Sequence, residues 1–344
     1  MLARTPLYGQ QGPLRLGFRA TLEEWFPQGS DKELKLGVEC KNIDGNGIYE
    51  VVLKYGPSRQ LQIIEERASW KGRGGEAFSY DSSRDTIQTD HRGAILSSSV
   101  PRGSTLGYLF HQDWLRDPKL QQKITPLYTL MSCFAPFYVY RFSPSAIARP
   151  AEVGDTVSHD GMGLPAELDQ LLGADRSTFD KLVQKLNEVF PHIKQVNVVT
   201  IKQDKSGKTG APRVLKGLTF ETVNGVKVPA ELESDGVLLT LAFLWLSTKN
   251  AMSIGVEEPE TATYPSLLKS RWQILNSMSK GSAGNQSIQV IATSHSPTLL
   301  TYIGDSSCVR VFEIQSDGTS KIRTSSLPMG DLIYRELEWS VHSV

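Results

Sequence analysis

The fold is decided by two segments, 251-AMSIGVEEPETATYP-265 and 288-IQVIATSHSP-297. Each is an apolar run that ends in polar residues, with Glu257 and Glu258 closing the first run and residues 293–295 closing the second. Buried parallel strands read as continuous apolar runs, and their ligands bind at the carboxyl ends of the strands. The two segments therefore predict neighbouring buried parallel strands whose polar residues meet at one edge of a sheet.

The residues at this edge are two adjacent carboxylates and a histidine. Glu257 would hold Mg²⁺ through water, and Glu258 would orient a water for attack on a phosphate. His295 would contact the phosphoryl group in transit. The ordinary alternatives stay open: an ion pair for Glu257, a solvated strand end for Glu258 and a satisfied core position for His295. The combination favours nucleotide hydrolysis.

A helix is predicted just upstream, in 231-ELESDGVLLTLAFLWLSTKN-250. Ser234, Asp235 and Gly236 precede a run that is apolar almost all round, which is typical of a capped and buried helix. The free N–H groups of such a helix also bind anions, for example a γ-phosphate. A cap and a phosphate contact by Ser234 are compatible.

These three segments together resemble the heads of ABC-type ATPases, in the SMC/RecF-like AAA group (AAA-15/AAA-21, OLD-like). Residues 234–236 resemble the signature motif, residues 257–260 the Walker B and D-loop run, and residues 293–297 the switch-histidine motif. Ser234 lies 23 residues before Glu257, and His295 lies 37 residues after Glu258, which suits the family. Each motif alone is weak, and the ordered set carries the resemblance.

The resemblance implies an α/β fold, the ABC-ATPase head of the P-loop NTPase class, with an antiparallel β subdomain and a helical lobe. It implies ATP and Mg²⁺ as cofactors, catalytic roles for Glu258 and His295, and a water-mediated Mg²⁺ role for Glu257. Ser234, Asp235 and Gly236 would bind nucleotide in trans, in a homodimer or with a P-loop-bearing partner ATPase. The group's members act in DNA repair, chromosome handling or phage defence, so DNA is a further expected partner.

Two more residues take weaker roles from the same resemblance, and one residue that the family requires has no assignable position. Glu260 would be solvated or would orient the dimer interface as part of the D-loop. Arg149 precedes a proline, as an arginine does in the family, although such a residue is usually structural. The glutamine of the Q-loop is not assignable, since nothing fixes Gln10 or Gln11 in that place.

The chain departs from the family because it contains no G-x-x-x-x-G-K-[ST] motif. Gly207-Lys208-Thr209 has Lys202 where the first glycine should stand, and it lies between two strand-like runs, which predicts a hairpin loop. Family heads carry the P-loop ahead of a β-rich stretch, and this chain begins inside such a stretch. We therefore expect an N-terminally truncated head, with a non-catalytic or regulatory half as the alternative. A metal-dependent nuclease using Glu257 and Glu258 ranks lower.

Three regions follow from the patterns along the chain. Residues 1–115 are predicted as the antiparallel β subdomain, 116–195 as the helical lobe and 196–344 as the ATPase C-terminal lobe. Residues 14–70 alternate with period two, with a turn signal at Asp44-Gly45-Asn46-Gly47, which predicts an antiparallel meander. Residues 71–105 are rich in glycine, serine and arginine, which predicts a mobile loop. A last strand, Val309 to Ile314, is expected to complete a parallel sheet.

Composition sets the outer limits. The chain has 344 residues, a net charge of +0 and 39% hydrophobic residues, as in ordinary globular proteins, and its neutrality gives no support for nucleic-acid binding. Cys40, Cys133 and Cys308 are widely spaced and predict reduced buried thiols in a cytoplasmic protein. The longest apolar run, residues 237–246, is too short to span a membrane, so no membrane partner is expected.

Overall fold

A computed structural model describes residues 33–41, 45–55, 61–75, 77–81, 86–89, 94–95, 130, 137–203, 213–249, 253–281, 287–316 and 320–324. These residues form a mixed α/β structure with antiparallel and parallel sheets. The chain divides into two compact units, residues 1–138 with 251–253 and residues 139–250 with 254–344. The boundaries expected after residues 115 and 195 stay a prediction.

The first unit contains a six-stranded antiparallel sheet whose strands are neighbours in chain order. They are β1 (Leu34–Lys41), β2 (Gly45–Tyr55), β3 (Leu61–Gly72), β4 (Ala77–Asp81), β5 (Thr86–Thr89) and β6 (Ala94–Ile95). Leu36 lies opposite Val51, so the apolar faces read from the alternation do meet. The predicted pairing of these two strands is therefore confirmed, but Gly45, Asn46 and Gly47 of the predicted turn lie inside β2.

The predicted loop over residues 71–105 is wrong where β4, β5 and β6 lie. Its serines and threonines alternate with larger side chains, as in 77-AFSYD-81, and this is the pattern of a strand with one polar face. The composition of this stretch is typical of a loop, whereas its alternation of polar and larger residues is typical of strands. The first part of the predicted alternation, residues 14–32, lies outside the described residues.

From residue 137 onward strands and helices are intermixed. In chain order the elements are β7 (Phe137–Tyr140), α1 (Pro144–Ile147), β8 (Ala151–Glu152), α2 (Leu164–Ala174), α3 (Arg176–Val189), β9 (Ile193–Gln203), β10 (Arg213–Thr222), β11 (Lys227–Pro229), α4 (Asp235–Leu246), β12 (Ser253–Glu257), α5 (Pro265–Lys280), β13 (Gln289–Thr293), α6 (Pro297–Leu300), β14 (Arg310–Ile314) and β15 (Ser320–Thr324). Two short 3-10 turns add Ala230–Leu232 and Ser306–Cys308.

One sheet of this unit is antiparallel, with β10 pairing with β8, β9 and β11. The hairpin formed by β9 and β10 was predicted, and it brackets the Gly207-Lys208-Thr209 sequence. Those three residues lie outside the described part of the chain. Because antiparallel strands flank them on both sides, they do not stand between a strand and a helix as a P-loop does.

The core of this unit is α4, the helix that follows the signature-like residues. Every residue from Val237 to Leu246 is buried, as its all-round apolar sequence predicted. Tyr140 meets Trp245, and Phe142 meets Phe243, as edge-to-face aromatic pairs with ring centroids 5.9 and 5.4 Å apart. These contacts fix the chain leaving β7 against the central helix.

A three-stranded sheet, in the order β13-β12-β7, contains the apolar runs of the segments 251–265 and 288–297. β12 is buried from Ser253 to Val256, as predicted. β13 was expected to be buried and is not: Ile291 is 48% exposed and Thr293 is exposed. Within the described residues β13 is an edge strand, so only one of its sides is covered by a neighbouring strand.

Two further expectations are corrected. β14 does not extend the parallel sheet, since it pairs antiparallel with β15 in a separate two-stranded sheet. Cys308 is exposed rather than buried, with its Sγ 3.9 Å from a carboxylate oxygen of Asp305. In the described part of the chain no helix combines the length and apolar character needed to span a bilayer.

Candidate functional site

The carboxyl ends of β12 and β13 lie side by side. The backbone N–H of Glu258, one residue beyond β12, donates to the carbonyl of Thr293, the last residue of β13, over 2.9 Å. Neighbouring strands whose carboxyl ends meet run in the same direction, so β12, α5 and β13 form a strand–helix–strand crossover unit. The edge predicted from the two sequence segments therefore exists.

Glu260 connects the two segments through its side chain. Its Oε1 accepts hydrogen bonds from the Ser294 hydroxyl and from the His295 backbone N–H, both at 2.8 Å. The Ser294 hydroxyl in turn accepts from the Ser296 N–H at 2.9 Å. The sequence had suggested a solvated or interface residue, and nothing in the sequence named this partner loop. Glu260 thus holds the loop that carries His295.

The second oxygen of this carboxylate has a different environment. Oε2 of Glu260 is buried and accepts no hydrogen bond from the residues that the structure describes. A buried carboxylate oxygen without a donor is costly, and such atoms in native proteins call for a ligand, a water or a functional explanation. It lies at the edge where the motif segments meet.

Glu258 forms an ion pair that the sequence did not suggest. Nη2 of Arg141 lies 2.5 Å from Oε2 of Glu258, and the side chains are 26% and 29% exposed. The Thr261 hydroxyl reaches the same oxygen at 3.4 Å. Arg141 directly follows β7, the neighbour of β12, so the pair joins the ends of two adjacent strands. A long sequence separation hid this contact from motif reading.

The turn after β12 has an unusual backbone. Glu258 and Ala262 have φ values of 45° and 51°, in the left-handed region that non-glycine residues seldom occupy. Such residues cost about 1–3 kcal/mol each and persist only where surrounding contacts hold them. Arg271 supplies some of those contacts.

Arg271 lies in α5 and is 1% exposed. Its Nη1 donates to the carbonyls of Pro259 and Thr261 at 3.0 and 3.1 Å, and also to the Thr263 hydroxyl. Burial lowers the pKa of this guanidinium to about 10. Arg271 falls three positions after Leu268 and four before Leu275, and this helical spacing is the sequence signal that could have indicated its buried position.

The remaining predicted residues of the edge are more open. Glu257 ends β12 half-buried, and the side chain of His295 is exposed. Because Glu257 is only half-buried, its charge keeps part of its contact with water, so its burial is weaker support for a functional role than full burial would be. Among the described residues, no hydrogen bond or ion pair joins the His295 imidazole to Glu257 or Glu258.

At the start of α4 the predicted cap is present. Oγ of Ser234 accepts from the Val237 N–H at 3.4 Å. A Cβ at Gly236 would lie 2.8 Å from Cδ1 of Leu267, the movable end of a side chain on α5. Within the described part of the structure, no hydrogen bond or ion pair links Ser234, Asp235 or Gly236 to the acidic edge. Arg149 is exposed there and forms no ion pair.

The side chains at this edge meet only some of the requirements of Mg²⁺ and ATP. No group of three or more His, Cys, Asp or Glu side chains suited to a metal occurs among the described residues. Glu257 fits a hydrated Mg²⁺, which keeps most of its waters and takes one or two carboxylates. A triphosphate also needs a cradle of backbone N–H groups, and the sequence contains no P-loop to form it. The site therefore fits part of a nucleotide site.

Comparisons with known proteins find only remote similarity. No protein-family model matches the chain, and no curated protein matches it. Among solved structures, an SMC head domain from Thermotoga maritima aligns at 10% identity and a TM-score of 0.32, covering 82% of this chain and 75% of that chain. An SmcHead bound to the C-winged helix domain of ScpA aligns at 11% identity and a TM-score of 0.36, with the same coverage.

A third match is an Smc head domain with an extended coiled coil, bound to the C-terminal domain of ScpA derived from Pyrococcus furiosus. It has 12% identity and a TM-score of 0.29, and the alignment covers 86% of this chain and 80% of that chain. At TM-scores of 0.29 to 0.36 these similarities carry no argument about the fold or function of this chain.

Proposed function

We propose that this chain supplies half of an ABC-type ATPase site, namely the acidic strand edge and the signature helix. The other half, the P-loop, would come from a sequence that these 344 residues do not contain. One observation carries the proposal: Glu260 binds both Ser294 and the backbone of His295, which supports a single edge for the Walker B-like and switch-like segments. The proposal otherwise rests on the motif resemblance.

Each residue has a defined task in this proposal. Glu258 accepts a hydrogen bond from the attacking water and takes its proton, while Glu257 holds a hydrated Mg²⁺. His295 donates to a phosphoryl oxygen. Ser234 and the N–H groups at the start of α4 donate to the terminal phosphate held by a facing subunit. Bound Mg-ATP would supply the scissile phosphoanhydride and the metal charge that stabilises it.

The assembly is a head-to-tail dimer, either of this protein or with a P-loop-bearing ATPase. Its finer setting, in DNA repair, chromosome handling or phage defence, is proposed from the motif resemblance alone. The P-loop NTPase fold and the three-region organisation are part of the same proposal.

A non-catalytic or regulatory half is the second candidate, and one observation favours it. Oε2 of Glu258 is engaged by Arg141, so the proposed base is not free in this conformation. In that case the chain would offer Ser234 to a partner without hydrolysing nucleotide itself.

The two candidates are separated by substitutions in an assembly that includes a P-loop, encoded in frame upstream of Met1 or carried by a partner chain. Glu258→Gln keeps size and hydrogen bonding but removes the base, so it should slow hydrolysis at least about 10²-fold while ATP stays bound and the dimer persists. Ser234→Arg should block the trans contact and abolish the ATP-dependent dimer. His295→Ala should lower turnover and spare assembly.

The decisive control is a mixture of a Ser234→Arg chain with a P-loop-dead chain. If the signature acts in trans, one composite site survives and part of the activity returns. Unchanged turnover in Glu258→Gln would support the regulatory half. A complete lack of recovery at every mixing ratio, with both chains folded, would remove the head-to-tail dimer.

A further inference from the structure

Arg141 lies at the edge of the sheet where the ends of β7 and β12 meet. It follows β7, whose neighbour β12 ends in Glu257, and the carboxyl ends of such strands are where α/β sheets bind their ligands. Its backbone N–H donates to the His159 carbonyl at 2.8 Å, and the next ring, Phe142, packs edge-to-face on Phe243. The main chain that carries this guanidinium is therefore fixed.

The guanidinium is only partly used. Of its five N–H donors, one is bonded to Glu258, and the others make no hydrogen bond to residues in the described ranges. The side chain is 26% exposed, so solvent and small ions reach it. Among the described residues, Arg141 is also the only cation within ion-pair distance of Glu257, Glu258 or Glu260.

The geometry points to Arg141 as a phosphate-binding residue that Glu258 occupies until an anion displaces the carboxylate. The ligand is the terminal phosphate of a nucleoside triphosphate. This inference rests on the proposed function and adds an arginine to the same site. Arginine prefers phosphate because its planar fork binds two oxygens at once, whereas the present pair uses a single N–H.

The exchange has a chemical consequence for Glu258. When Arg141 turns to the phosphate, Oε2 of Glu258 loses its strongest partner and becomes available to a water. The ion pair thus keeps the base engaged without substrate and releases it when a phosphate arrives. This reconciles the observed pair with a catalytic role, since both groups are used in turn.

The test measures the binding of inorganic tripolyphosphate to the whole chain by itself, in EDTA and low salt. The affinity is measured by calorimetry and by the Arg141 side-chain N–H resonance. Glu258→Gln removes the competing carboxylate, so affinity should rise about two- to fivefold, the range expected for an exposed ion pair. Arg141→Gln should lower affinity at least about tenfold, as for the loss of a charged hydrogen bond. Arg141→Lys, which keeps the charge and not the fork, should fall between.

Two matched controls come from this unit. Asp169→Asn breaks the Lys216–Asp169 pair, which has a 3.0 Å separation and similar exposure, and should leave the affinity unchanged. Arg176→Gln removes an arginine from an exposed pair with Asp180 and should also have no effect.

The inference is overturned if Glu258→Gln gives no gain, if Asp169→Asn gives an equal gain, or if tripolyphosphate binding ignores Arg141→Gln and Arg141→Lys in folded protein. The proposed function can fail separately, because hydrolysis by the assembled site is not measured here. Tighter tripolyphosphate binding in Glu258→Gln together with unchanged turnover in the same variant would keep Arg141 as a phosphate ligand and remove the catalytic role of Glu258.

Discussion

Single carboxylates decide the local geometry of the candidate site. Glu258 and Glu260 are separated by one proline, yet they have different partners. Glu258 pairs with Arg141, which directly follows β7, and Glu260 accepts hydrogen bonds from the loop after β13. The left-handed backbone at Glu258 is what turns successive side chains toward different neighbours. Adjacent acids in a sequence thus acquire separate tasks through the backbone between them.

Glu260→Ala should loosen the His295 loop. The Ser294 hydroxyl and the His295 N–H would lose their shared acceptor, and a hydrogen bond to a charged group contributes about 1.5–3 kcal/mol. Exchange of the His295 amide should therefore quicken by about tenfold or more, as measured by hydrogen exchange. Glu260→Gln keeps an acceptor oxygen and should change exchange less. Equal exchange in both variants and in the exposed control Glu188→Ala would mean that Glu260 does not hold this loop.

At the scale of elements, close packing requires glycine where a backbone atom lies next to the missing Cβ. In the first unit, Gly47 of β2 lies opposite Trp70 of β3. A Cβ at Gly47 would lie 2.7 Å from the Ser69 carbonyl and from the Trp70 ring.

Gly47→Ala should therefore destabilise the six-stranded sheet by about 1–3 kcal/mol, because a backbone carbonyl cannot move aside cheaply. Gly37→Ala in β1 is the matched control, since its Cβ would lie 3.5 Å from Cγ of Glu50, an ordinary contact. That control should be neutral or stabilising, as glycine weakens strand interiors. The free energies of unfolding of the two variants are compared by chemical denaturation, with amide exchange in β2 and β3 as the readout. Equal destabilisation by Gly47→Ala and Gly37→Ala would contradict the packing argument.

At the scale of the whole molecule, the acidic edge and the signature helix belong to the unit of residues 139–250 with 254–344. Under the proposed function, residues of this edge would position water and metal, and α4 would face another subunit. Its sequence holds no P-loop, whose backbone N–H groups and lysine supply most of the phosphate binding in ATPases of this class.

We expect the isolated chain to hydrolyse Mg-ATP negligibly, because the one arginine assigned to phosphate cannot replace that cradle. Steady-state phosphate release by purified protein is the measurement, with Glu258→Gln as the control for contaminating activity. Turnover at a rate typical of ABC-type heads that disappears in Glu258→Gln would contradict the expectation and the half-site proposal with it.

The sequence by itself determined the elements that local patterns encode. Period-two alternation predicted β1 and β2, and the all-round apolar run predicted the buried α4 with Ser234 as its cap. Two apolar runs ending in polar residues located β12, β13 and the edge they share. These signals are local, so a sequence carries them without knowledge of the fold.

Only the tertiary structure decided which residues meet across long separations. Arg141 reaches Glu258 across 117 positions, and Glu260 reaches His295 across 35. It also decided that β13 is an exposed edge, that β14 pairs with β15, and that Arg271 is buried beneath the turn. Side-chain partners and strand neighbours depend on how the backbone is arranged in space, and no periodicity or spacing in a single sequence specifies that arrangement.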